Sequence, residues 1–136
     1  MPMSVSSTPG GEVHPTPFVG PVEHSVAVLL DVSTLTIDEV DQYGYIKPGV
    51  LIQINGDKIT GVSQVAYGAV IEAAKVAPAG SDTAALGAIT DDVEVAVGLF
   101  VLINRDILED SLGRALSADE LSAVDAAGSH VAITPT

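Results

Sequence analysis

The stretch VEVAVGLFVLI, residues 93–103, decides the fold class. Val93, Val95, Val97, Leu99, Val101 and Ile103 recur at every second position, the period of a strand with one buried face. The unbroken apolar part, residues 95–103, suits a buried strand and falls far short of a membrane span. Read forward from it, residues 106–116 are acidic and carry Ile107, Leu108, Leu112 and Leu116. Ser117-Ala118-Asp119-Glu120 is then a capping box, in which the Ser hydroxyl accepts from the N3 amide and Glu120 reaches back to the amide of Ser117. With Leu121 and Val124 on one face and Gly128 where a C′ glycine belongs, the spacing predicts a helix of about nine residues. A last short strand is expected over residues 130–134.

Backward from the same stretch, residues 78–85 are a loop of small side chains. In residues 64–77, Val65, Tyr67, Ala69 and Ile71 alternate as in a strand, although the alanines at its end also suit a helix. Pro48-Gly49 marks a turn into a β-branched strand over residues 50–54. Asn55-Gly56 follows as a hairpin signal of the type I′ kind, with a return strand over residues 58–62. Residues 33–44 are polar and turn-like. Residues 24–31 read as a strand with Val26, Val28 and Leu30 on one face. Residues 1–24 form an extended arm: Pro2, Pro9, Pro15, Pro17 and Pro21, with Gly10, Gly11 and Gly20, oppose independent folding. The arm nevertheless carries Val13, Phe18, Val19 and Val22, apolar side chains suited to lying on another protein. The expectation is a mainly β domain over residues 25–136, with one or two short helices and a flexible N-terminal arm. No internal repeat is evident.

Composition narrows the function. Hydrophobic residues make up 47% of the 136, but aromatic residues only 4%, with no Trp, so the core must be built from Val, Ile, Leu and Ala. Eighteen acidic residues against 5 basic ones give a net charge of −13, which repels nucleic acid and anionic membranes. There is no Cys, which removes disulfides, thiolate metal sites and Cys nucleophiles. Residues 1–25 show neither a basic n-region nor an apolar h-region, and a soluble protein made in a cytoplasm is expected.

No catalytic pattern emerges. His14, His24 and His130 are too scattered for a zinc site. Asp91-Asp92-Val93-Glu94 lacks the alternation of an EF-hand loop and reads as a polar lead-in to the strand. No Gly-x-Ser-x-Gly elbow occurs, no glycine loop fits a phosphate-binding pattern, and no aromatic platform accompanies the carboxylates. Arg105 and Arg114, the only arginines, could clamp an anion, but pairing with Asp106, Glu109 or Asp110 is the simpler role. The expectation is a protein that is not an enzyme, holds no metal or cofactor, and binds neither nucleic acid nor membrane.

Residues 45–130 resemble the head decoration proteins of tailed phages, the group typified by that of lambda. The resemblance runs through Pro48-Gly49-Val50-Leu51, the turn at Asn55-Gly56-Asp57-Lys58, the apolar stretch around Gly68, the long strand at residues 93–103 and the Leu-containing segment and helix that close on Gly128. Asn104-Arg105-Asp106 stands where the family pattern has a Gly-centred turn, and residues 31–45 have no counterpart. The resemblance implies a small barrel or tulip-like domain that binds the outside of the mature head as a homotrimer. There it would brace the major capsid protein lattice against DNA pressure, with a virion location. Val13, Phe18, Val19 and Val22 would then contact the capsid, and Ile107, Leu108, Leu112 and Leu116 the trimer partner. A tail or adhesion module of a virion or cell surface is the alternative.

Overall fold

A computed structural model describes residues 16–61, 63–77, 92–128 and 130–135. Its elements are β1 (His24–Leu30), β2 (Leu51–Ile52), β3 (Gly68–Val70), β4 (Val93–Leu99), β5 (Val101–Ile103), α1 (Arg105–Leu112), α2 (Ala118–Ala127) and β6 (Val131–Ile133), with 3-10 turns at Val32–Thr34 and Ile37–Glu39. Among the described residues the fold is mainly β with two short helices. Among the described residues no helix is long and apolar enough to cross a membrane.

The period-two stretch is two strands, not one. Phe100 adopts φ +56°, a left-handed conformation that a strand cannot continue through. The chain turns there, and its two halves join different sheets. β4 is an inner strand of a four-stranded antiparallel sheet ordered β1-β4-β3-β2. β5 pairs in parallel with β6 in a two-stranded sheet. Sequence periodicity passes through Phe100 because Val101 and Ile103 keep the buried phase on the far side of the turn.

The faces follow the alternation. Val26, Val28 and Leu30 of β1 lie opposite Val97, Val95 and Val93 of β4, so apolar side chains meet across the strands. The core contains Leu30, Ile46, Leu51, Ile52, Ile59, Val70, Val95, Val97, Ile103 and Leu108, all at most 2% exposed. Every hydrophobic residue buried in it is Val, Ile, Leu or Ala, as composition required. Where β3 crosses β4 the sheet closes tightly: a Cβ on Gly68 would lie 2.5 Å from the carbonyl oxygen of Gly98 and 2.4 Å from Val97.

The Asn55-Gly56 hairpin also differs from expectation. Gly56 N–H donates to the Gln53 carbonyl, so Ile54 and Asn55 occupy the turn centre, and Gly56 alone has positive φ, +96°. This is a three-residue turn closed by a left-handed glycine, not type I′. The return strand reduces to one bridge, Ile52 to Lys58. Gly56 is required for a second reason: its Cβ would fall 2.0 Å from the Leu29 carbonyl oxygen. The strand expected over residues 64–77 is short, Gly68–Val70, followed by a bridge between Tyr45 and Lys75. The loop expected over residues 78–85 and residue 62 of the return strand lie outside the described residues.

The parallel pairing of β5 with β6 needs a crossover, and the two helices supply it. Asn104 caps α1 by accepting from the Ile107 amide at 3.2 Å, and Gly113 ends it in the left-handed region at φ +73°. The Ser117 box holds as expected: Ser117 Oγ accepts from Glu120 N at 3.1 Å, and Glu120 Oε1 accepts from Ser117 N at 2.9 Å.

Folded structure begins before residue 25. Residues 17–19 lie along the free side of β5: Asn104 N–H donates to Pro17 O at 2.6 Å, Val19 N–H donates to Leu102 O at 2.8 Å, and Phe18 bridges Ile103. Pro17 contributes only a carbonyl here, which suits an edge position.

Candidate functional site

Five charged side chains from four separated segments converge beside the N-terminus of α2. The 3-10 turn Ile37–Glu39 supplies Asp38 and Glu39. Lys58 comes from the hairpin bridge, Arg114 from the turn after α1, and Glu120 from the first turn of α2. Lys58 Nζ lies 2.6 Å from Glu39 Oε2 and 3.7 Å from Glu120 Oε2. Arg114 spans three carboxylates: Nη1 to Glu120 Oε1 at 2.7 Å, Nη2 to Glu39 Oε2 at 3.3 Å, and Nε to Asp38. Glu39, Lys58 and Glu120 are buried, while Arg114 and Asp38 are partly open to solvent.

Each carboxylate is also fixed by backbone or hydroxyl donors. Glu39 Oε1 accepts from Thr36 N at 2.8 Å, Asp38 Oδ1 from the Thr36 hydroxyl at 2.6 Å, and Glu120 from Ser117 N. The environments separate their acidities. Burial pushes the Glu39 carboxyl up, against the pull of Lys58. Burial works the same way on Glu120, but the hydrogen bonds from Arg114 and Ser117 outweigh it and hold Glu120 below the ordinary range. Asp38 is also lowered, its slight burial outweighed by Thr36 and Arg114. The Arg114 guanidinium is raised, first by its hydrogen bond to Glu120. Three carboxylates against two cations leave one negative charge in excess, and Glu39 is the member best placed to take up a proton. A crevice of about 240 Å³ opens onto Lys58, Arg114 and Glu120 beside Thr36, Asp38, Ala115 and Ser117.

The cluster ties the hairpin, the second 3-10 turn, the inter-helix turn and the start of α2 together. Sequence reasoning missed it, because directly bonded members lie up to 76 positions apart. Of the pairings expected for the arginines, Arg105 does bind Glu109, at 3.0 Å. Arg114 instead crosses to Asp38, Glu39 and Glu120. The only local sign was Glu120, read as a capping residue alone.

The candidate contact residues are scattered. Val13 lies outside the described residues. Phe18 and Val22 pack against the chain's own core, and Val19 is 49% exposed. Of the four positions that the resemblance assigns to a trimer partner, Leu108, Leu112 and Leu116 are buried in this chain's own core, at 0%, 4% and 5% exposure. Leu108 and Leu112 form the inward face of α1, and Leu116 follows beyond its end. Ile107 is half-buried.

The described histidines lie in an aromatic row. His24 meets the Phe100 ring at 5.5 Å, Phe100 meets His130 at 5.2 Å, and His130 meets Tyr67 at 5.6 Å, all edge-to-face. Among the described residues no group of three or more His, Asp or Glu is placed to hold a metal ion; His14 and Asp91 lie outside them. No protein-family model, no curated protein and no solved structure matches this chain.

Proposed function

We propose that this chain is a capsid cement protein: a structural virion protein that binds the outside of a tailed-phage head as a homotrimer and braces the major capsid protein lattice against internal DNA pressure. The observation that carries this reading is the strap at residues 17–19. It anchors the end of the arm to β5 by two backbone hydrogen bonds and the Phe18 side chain, so that the chain before Thr16, with Val13, is joined to the domain at one sheet edge. An arm tied at its root can reach a neighbouring protein and add main-chain hydrogen bonds there. Many such weak contacts on one particle act together.

The charge supports an exterior position. A protein with a net charge of −13 is repelled by packaged DNA and suits the outer surface. In this reading the chain carries out no catalysis and needs no cofactor, and its partners are the major capsid protein and copies of itself.

The test is quantitative mass spectrometry of purified virions of the phage that encodes the chain. Abundance close to that of the major capsid protein is the expected result. A few copies for every hundred capsid subunits would move the chain to the tail or a fibre, and absence from the particle would end the structural reading.

A further inference from the structure

We propose that the outward face of the ribbon made by residues 17–19, β5 and β6 is the surface through which copies of this chain associate. Strand alternation sends Phe18, Val101, Ile103 and Val131 inward and leaves Val19, Leu102 and Ala132 outward on one row. Val19 donates its N–H to Leu102 O, and Leu102 is level with Ala132 in the parallel register, so the three lie side by side across the ribbon. Val19 is 49% exposed and Leu102 40%. Phe100, immediately before β5, is also exposed, at 56%, with its ring set between His24 and His130. It holds a left-handed backbone, which a bulky side chain adopts only where the surroundings impose it. The result is a large ring presented at the surface instead of in the core.

Charge identifies the occupant. The residues of the ribbon itself, 17–19, 101–103 and 131–133, include no Asp or Glu, in a chain that has 18. Two bodies of charge −13 repel wherever carboxylates face one another. A ribbon free of carboxylates is where a second copy approaches at least cost, and its apolar row gives the contact a dry centre. A strongly basic partner would instead be drawn to the acidic remainder of the surface. This face takes the place of the buried leucines of α1 as the self-association surface. It draws on the proposed function only for the number of copies.

Sedimentation velocity of the full chain over a range of concentrations tests the proposal. The expected result is reversible self-association that strengthens with added salt, because screening weakens the general repulsion and leaves the apolar contact intact. Leu102→Glu should weaken the association constant roughly a hundredfold or more, by placing a carboxylate in the contact. Val19→Glu, on the strap and outside both helices, should do the same, and serves if the first variant folds poorly. Ile54→Glu, on the exposed hairpin tip, is the control that leaves association unchanged. A wild-type chain that stays monomeric throughout, association that salt weakens, or variants at Leu102 and Val19 that associate like wild type would each overturn the proposal. A chain that associates through this face yet is absent from virions would uphold it while ending the capsid reading.

Discussion

Lys58 follows a turn glycine by two positions, and the fold carries its ammonium into the interior. There it faces Glu39 and Glu120, while Arg114 serves the same two carboxylates from the solvent side. Taking out one partner of a buried pair strands the others. Lys58→Met leaves three carboxylates with one guanidinium and should cost about 3–5 kcal/mol. Glu39→Gln leaves two of each sign and should cost clearly less; urea denaturation of both variants decides the order. The acidities add a pH dependence. Asp38, Glu109 and Glu120 lie below their ordinary values when folded. Each contributes stability that is present at neutral pH and is lost as pH falls below roughly 4. Glu39 has the opposite sign. Its folded value is raised, so its ionisation opposes folding at neutral pH, and that penalty fades as pH falls through the raised value towards the ordinary carboxylate range. Wild type should therefore gain stability, relative to Glu39→Gln, as pH falls from neutral towards the ordinary carboxylate range. Equal pH profiles for the two proteins would mean that another group takes up the proton.

At the scale of elements, local rules set the helices and distant contacts set the strands. Ser117 caps α2 while its partner Glu120 belongs to the ion cluster, so Ser117→Ala loosens both, and a loss of about 1–2 kcal/mol in thermal or urea unfolding is expected. Gly56→Ala should cost more, because the added methyl meets the Leu29 carbonyl and the residue is held at φ +96°; a variant as stable as wild type would show that β1 and the hairpin separate freely. The capping box, the terminal glycine, the faces of β1 and β4 and the composition of the core were all legible in the sequence, since each depends on residues a few positions apart or on strict alternation. The turn at Phe100 was not: Phe favours strands, and the buried phase resumes beyond it. The inward face of α1 was not legible for a related reason. Leu108 and Leu112 are apolar positions at helical spacing, and such a pair fits a core or a partner equally well until neighbouring elements are placed. Apart from Glu120, the charge cluster left no local trace, because electrostatic partners need proximity in space and not in sequence.

For the molecule as a whole, the two surfaces assigned here make separable demands on the chain. Self-association needs the ribbon, which includes residues 17–19 but nothing before Thr16. Capsid binding, in the proposed function, needs the arm that precedes it, with Val13. A chain beginning at Thr16 keeps both backbone bonds from the strap to β5 and the Phe18 contact with the core. Its sedimentation should match that of the full chain, while its binding to heads lacking the protein should be lost. A chain beginning at Pro21 also loses the strap. The side of β5 is then uncovered, with the amide of Asn104 and the carbonyl of Leu102 left without these partners, and Val19 is gone from the apolar row. That chain should be less stable, by about 1–3 kcal/mol for the lost Phe18 burial and strap hydrogen bonds, and should associate more weakly. Co-sedimentation with heads and sedimentation velocity, run on the three lengths, give a two-by-three pattern. Capsid binding falls at the first truncation and self-association only at the second. If both fall together at the first, a single surface serves both partners and the arm belongs to it. If capsid binding survives until the strap is removed, the ribbon itself faces the lattice, and the copies must meet elsewhere.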